Sequence, residues 1–108
     1  MAIDNYLNQN DSKLKKLKLQ GTRLSFDMLK QIAGSVESSK SLAHLDLSNN
    51  ILRNPGAFEI AQILKRNTSL QKLKLCRNEI REEGIVKVLE ALKSNKCLIV
   101  LKAEANKF

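Results

Sequence analysis

The chain has 108 residues, with 19 Lys and Arg against 11 Asp and Glu and a formal net charge of +8. That length allows one domain with a continuous but slim core. Every apolar stretch is short and broken by charge, which excludes a membrane-spanning helix, and two cysteines, Cys76 and Cys97, cannot supply a disulfide framework.

The first segment has no basic start, no long apolar run and no small-residue cleavage site, so no leader is expected there. Instead Tyr6-Leu7-Asn8-Gln9-Asn10-Asp11-Ser12 imitates Ile63-Leu64-Lys65-Arg66-Asn67-Thr68-Ser69, with one extra residue before Leu14. A half-helix over 3–12 is predicted. From Leu14 onward one phrase recurs with a period of 28: Leu14-Leu17-Leu19, Leu42-Leu45-Leu47, Leu70-Leu73-Leu75, and Leu98-Leu101 with Ala103 in the last slot. Each L-x-x-L-x-L copy predicts a short strand whose alternate leucines point inward. An Asn follows eight residues after the first Leu at Asn50, Asn78 and Asn106, where the chain must bend away from the strand. Its amide can pair backbone groups that a buried turn would leave unsatisfied. Copy one carries Thr22 there, so its turn should be the loosest.

Helical spacing takes over in the second half of each copy. The apolar stripes are Met28, Leu29, Ile32, Ala33 and Val36, then Phe58, Ile60, Ala61, Ile63 and Leu64 with Pro55 near the helix start, then Ile85, Val88, Leu89 and Leu92. Ser39, Asn67 and Asn95 are predicted to close the three helices. Glu83 and Lys87 stand at i, i+4, a pair expected on a solvated face. The glycines, Gly21, Gly34, Gly56 and Gly84, are read as serving turns and helix starts. The division is one domain over 1–108: the half-helix, repeats 14–41, 42–69 and 70–97, and a terminal partial repeat 98–108. A strict period of this length means a solenoid, each turn burying its apolar side against its neighbours.

The phrase L-x-x-L-x-L-x-x-N-x-L, continued to Leu24, Leu52, Ile80 and Phe108, resembles the leucine-rich repeat family over roughly residues 6–108. A repeat this long with a full helix is similar to the ribonuclease-inhibitor-like subtype. That subtype includes RNase inhibitor, RanGAP-type GTPase activators, tropomodulin-type actin cappers and the sensing domains of NOD-like receptors. The resemblance implies an α/β fold: a short right-handed β-α superhelix with a parallel sheet on the concave face and helices on the convex face. Neither end offers a polar cap, and strand four should present an open edge flanked by Ile99 and Val100. The chain is therefore expected to be a piece of a longer repeat protein or a small subunit that docks end-on, with itself or in a larger assembly.

The charge is unevenly placed. Segments 14–21, 42–49, 70–77 and 98–105 carry most of the positive excess, whereas residues 78–97 balance four acids with four bases. The third and fifth positions of each copy point away from the core. They form the columns Lys16, His44, Lys72, Val100 and Lys18, Asp46, Lys74, Lys102, and Arg77 lies just beyond. Such lysines can simply keep an exposed sheet soluble and unpaired. They can equally receive an acidic partner, and the candidate contact residues are Lys16, Lys18, His44, Asp46, Lys72, Lys74, Arg77 and Lys102. None of the aromatics Tyr6, Phe26, Phe58 and Phe108 falls in a concave column, which favours a protein over nucleic acid.

No catalytic residues are assigned. His44 and Asp46 share a strand face without a nucleophile or a pocket, no Cys/His cluster has metal spacing, and no glycine loop would hold phosphates, so no cofactor is expected. Cys97 occupies the column of Ser41 and Ser69 and Cys76 the inner face near a strand end, read as free thiols in a reducing intracellular, cytoplasmic setting, with one disulfide as the alternative that nothing in the spacing demands. The reading is a non-catalytic protein-interaction module or scaffold subunit, contacting its partner by the basic concave face or the open ends. Alternatives are a RanGAP-like regulator of a small GTPase, a basic subunit attached to a ribonucleoprotein and, by fold analogy, an actin or cytoskeletal binder.

Overall fold

The computed structural model describes residues 14–108; the half-helix expected over 3–12 lies outside them. Strands and helices alternate: β1 (Lys16–Lys18), α1 (Phe26–Ser38), β2 (His44–Asp46), α2 (Arg53–Arg66), β3 (Lys72–Lys74), α3 (Glu82–Leu92) and β4 (Val100–Lys102). The four strands form one parallel sheet in chain order, with Leu17, Leu45, Leu73 and Leu101 paired side by side. The register therefore follows the 28-residue period without a slip. The helices form a second layer, and leucines from both halves of each turn meet in one core between the layers.

Burial follows the strand pattern. Leu42, Leu47, Leu70, Leu73 and Leu75 have no solvent exposure and Leu45 almost none. On the helices Leu29, Ile32, Ala33 and Val36 of α1 and Ile60, Ala61, Ile63 and Leu64 of α2 face inward. The stripes are narrower than the spacing predicts. Met28, Phe58 and Leu89 are exposed, at 37%, 42% and 50%. Phe58 lies ~60° round the axis from Ala61, outside the buried face of α2; Met28 shares its bearing with the buried Ile32 and Ser35 but stands in the first turn of α1. Leu89 shares its column with the buried Ala33 and Ala61, but among the described residues no helix follows α3 to cover it.

Polar ladders hold successive turns together. Asn50 Oδ1 accepts from the Thr22 and Leu24 amides at 3.1 and 2.8 Å, and its Nδ2 donates to the carbonyls of Leu19, Leu47 and Ser48. Asn78 and Asn106 repeat the arrangement one and two turns on. Among the described residues Thr22 makes a single side-chain bond, its Oγ1 donating to Leu19 O at 2.7 Å. So the first turn is held chiefly by the Asn of the second.

A second ladder runs along the helix ends. Ser39, Asn67 and Asn95 each accept from the amides that open the next strand, and the two Asn also donate back to the carbonyl ending the previous helix, Val36 O and Leu64 O, at 2.8 Å. Ser39 and Asn67 cap α1 and α2, as expected, whereas α3 ends at Leu92 with Lys93 as its cap and Asn95 lies beyond it; the two Asn also stitch neighbours together. Ser41, Ser69 and Cys97 form a third file. Their side chains donate to Leu14 O, Leu42 O and Thr68 O, which accounts for a thiol in a serine column.

Two local expectations are corrected. Lys87 pairs with Glu90 at 3.6 Å, an i, i+3 contact, and not with Glu83. Gly34 sits in the middle of α1, away from any turn, and a Cβ added there would meet nothing within 4 Å. Gly34→Ala should therefore raise stability by about 0.5–1 kcal/mol, because alanine restricts the unfolded chain and favours the helix. Urea unfolding followed by circular dichroism measures the gain; a loss would mean the helix is not packed as described. Gly84 is different. A Cβ there would strike Asn54 Oδ1 and the side chains of Ile80 and Ala57, so glycine lets α3 approach α2 closely.

Candidate partner-binding surface

The side chains that the strands turn away from the core form a grid. In-register pairing puts Lys16, His44, Lys72 and Val100 in one row and Lys18, Asp46, Lys74 and Lys102 in the next. Neighbouring strands in such a sheet lie ~4.8 Å apart, so each row is a line of adjacent side chains. Lys16, Lys18, His44, Asp46, Lys72 and Lys74 together line one shallow, open depression of about 210 Å³. Arg77 and Lys102 lie round a second depression toward the strand ends, with Gln20, Ser48, Cys76 and Glu104, and it shares Asp46 and Lys74 with the first. The eight candidate residues thus fall into two adjoining groups.

Charge on this face is unpaired internally. The ion pairs among the described residues are Arg53–Glu79, Lys107–Glu79 and Lys87–Glu90, each at 3.6 Å and none involving a concave lysine. Asp46 does not neutralise the lysines beside it at contact distance. Its Oδ1 accepts the Ser48 amide at 3.0 Å and so turns along its own strand. Ser48 Oγ accepts the Cys76 amide, and Cys76 Sγ donates to Glu104 Oε2 at 3.3 Å. Both cysteines are free and half-buried. Among the described residues no group of three His, Cys, Asp or Glu could hold a metal ion, and no helix is long and apolar enough to cross a membrane.

The loops beyond the strands hold a feature that the sequence reading missed. Gly21, Asn49, Arg77 and Ala105, one per turn, all have a left-handed backbone with φ between 55° and 66°. Gly and Asn visit this region readily, whereas Arg and Ala are strained there. Gly21 and Asn49 at 28-residue spacing were the available signal. Arg77 therefore projects from a bend where its side chain is exposed.

A family model for the leucine-rich domain of tropomodulin and leiomodin matches residues 3–107. The chain belongs to the tropomodulin/leiomodin leucine-rich domain family. Among solved structures, this leucine-rich domain is similar to leiomodin-1 actin-binding site 2, at 24% identity and a TM-score of 0.86, covering 93% of this chain and 58% of that one. It is also similar to the tropomodulin C-terminal domain of Caenorhabditis elegans, at 19% identity and a TM-score of 0.87, covering 97% of this chain and 64% of that one. At these identities the likeness establishes the fold. The chain spans less than two thirds of either structure. No curated protein matches it.

Proposed function

We propose that this chain is a non-catalytic protein-interaction module that binds actin through the basic face of its sheet. The observation that carries the reading is the family match over residues 3–107. The partner comes from the leiomodin-1 structure, which is named as an actin-binding site. The surface comes from the grid of lysines, free of ion pairs among the described residues, which suits an acidic protein patch. The family match favours this reading over the RanGAP-like and ribonucleoprotein alternatives. The same reading takes residues 1–108 as one intracellular domain of repeats 14–41, 42–69 and 70–97 with a partial repeat 98–108. It assigns the repeat to the ribonuclease-inhibitor-like subtype, on its length and full helix.

Cosedimentation with filamentous actin, backed by titration of labelled monomeric actin, tests the proposal. The double variant Lys72→Glu/Lys74→Glu should weaken binding about 30-fold. That follows from roughly 0.5 kcal/mol for each of two attractions lost and two repulsions gained. Binding should also fall steeply as salt is raised. Undiminished binding by the double variant would move the contact off the sheet face, and no binding by the unaltered chain would remove actin as the partner.

A further inference from the structure

We infer that the occupant of the sheet face is an acidic α-helix lying along β2, its flanks held by the lysines of β1 and β3. The inference rests on the sheet face being the partner surface, and it specifies the shape of what binds there.

Register sets the geometry. Lys16 and Lys72 stand on either side of His44, and Lys18 and Lys74 on either side of Asp46. Strands ~4.8 Å apart place the two lysine pairs on rails ~9.6 Å apart, and a rise of ~3.3 Å per residue puts the lysines within a rail ~6.6 Å apart. An α-helix with its side chains is ~10–12 Å across, and residues i and i+4 are ~6 Å apart along its axis. One helix therefore spans the rails, with i and i+4 facing one rail and i+1 and i+5, ~100° round the axis, facing the other. The motif is a pair of adjacent acids, two spacers and a second pair.

Asp46 decides between a helix and an extended segment. It sits on the centre line with its Oδ1 engaged by the Ser48 amide. An extended acidic strand laid over β2 turns alternate side chains toward the sheet in a single file. That file would set carboxylates over Asp46, like charge on like. A helix carries its acids off the centre line and can present a neutral or basic residue to Asp46. A phosphate backbone would find the charges but little surface on which its bases can stack, since His44 is the one ring in the two rows and neither contains Phe, Tyr or Trp. A second copy of this chain does not supply the ligand: Glu82–Glu83 is its one pair of adjacent acids.

The test titrates the full chain against two fluorescent alanine-based peptides of identical composition. One has glutamates at i, i+1, i+4 and i+5, and the other at i, i+2, i+4 and i+6; a ten-residue oligo-dT is the third probe. The first peptide should bind at least about tenfold tighter than its isomer, a modest difference for four exposed charge pairs. Lys18→Glu/Lys74→Glu should abolish that preference while keeping the native circular dichroism spectrum. Asp46→Asn, which retains the acceptor for Ser48, should bind the isomer more tightly and so narrow the gap. Equal binding of the two peptides, no binding of the first, or tighter binding of oligo-dT overturns the inference. Actin separates the two readings. If the peptide preference is absent while actin binding still falls in Lys72→Glu/Lys74→Glu, this inference alone is lost. If actin fails to bind while the preference holds, the actin assignment is lost and this inference stands.

Discussion

Asn78→Asp is expected to lower stability by more than about 3 kcal/mol, which for a chain of this length is a fall of about 15 °C or more in Tm. Asn78 has no solvent exposure. Its Nδ2 donates to Leu47 O, Leu75 O and Cys76 O at 2.9, 3.1 and 3.2 Å, while its Oδ1 accepts the Leu52 amide at 3.3 Å. Aspartate has the same shape and keeps the acceptor, but it turns the donor into an oxygen facing three carbonyl oxygens. A carboxylate there is a buried charge without a counter-charge, and a neutral acid has one proton for three acceptors. The three carbonyls keep other donors, Asn50 Nδ2, Asn106 Nδ2 and the Asn49 amide, so the loss is that of burying the carboxyl against them, ~1–3 kcal/mol for an unsatisfied group and more for a charged one. The control is Asn49→Asp, at an exposed left-handed position that aspartate tolerates. Its effect should stay within about 0.5 kcal/mol. Urea unfolding followed by circular dichroism reads both, and equal midpoints for Asn78→Asp and the unaltered chain would refute the ladder as a source of stability.

Leu73→Ala should cost ~2–5 kcal/mol, the range for emptying a well-packed leucine site. Its side chain has no solvent exposure and lies between Leu45 and Leu101 in the central file. The file itself provides the comparison. Leu17 and Leu101 are half-buried members of the same row, so alanine at either removes fewer contacts and leaves a void that water can fill. Each should cost less than half as much as the change at Leu73. The discriminating result is the order: Leu45 and Leu73 together at the top, Leu17 and Leu101 below. Four equal losses would show that the packing is not layered turn by turn.

The strands were legible residue by residue because two independent periods agree there. A period of two sets which side chains face inward, and the period of 28 repeats the choice four times. Lys16, His44 and Lys72 could be placed in one row before any coordinates, since a slip of one residue would send Leu45 and Leu73 to solvent. The helices were less legible. Spacing alone cannot say how wide a buried face is, so Phe58 joined the stripe although it lies just outside it. Nor can it say that Met28, on the right bearing, stands in a first turn that leaves it exposed. Leu89 failed for another reason: its burial depends on what covers α3, which its own repeat does not state. The left-handed column was missed because Arg77 and Ala105 are poor signals for positive φ, and only Gly21 and Asn49 marked it. Gly34 was misread because glycine in a sequence signals a turn more often than a tolerated position inside a helix. On the sheet face, the positions of the charges could be read, but not that Asp46 spends an oxygen on Ser48 N, which depends on the local bend after β2.

The stitching along this molecule joins only consecutive turns. Among the described residues Asn50 reaches back to the loop after β1, Asn78 to the loop after β2 and Asn106 to the loop after β3, and no side-chain bond skips a turn. The first and third coils communicate solely through the second. Damage at β2 therefore severs the molecule into two fragments, neither of which the other can brace, whereas damage at an outer coil leaves the remainder standing. Amide exchange should accordingly be slowest at Leu45 and Leu73 and quicken in steps toward both extremities, like a row of dominoes that can fall from either side but be cut only in the middle.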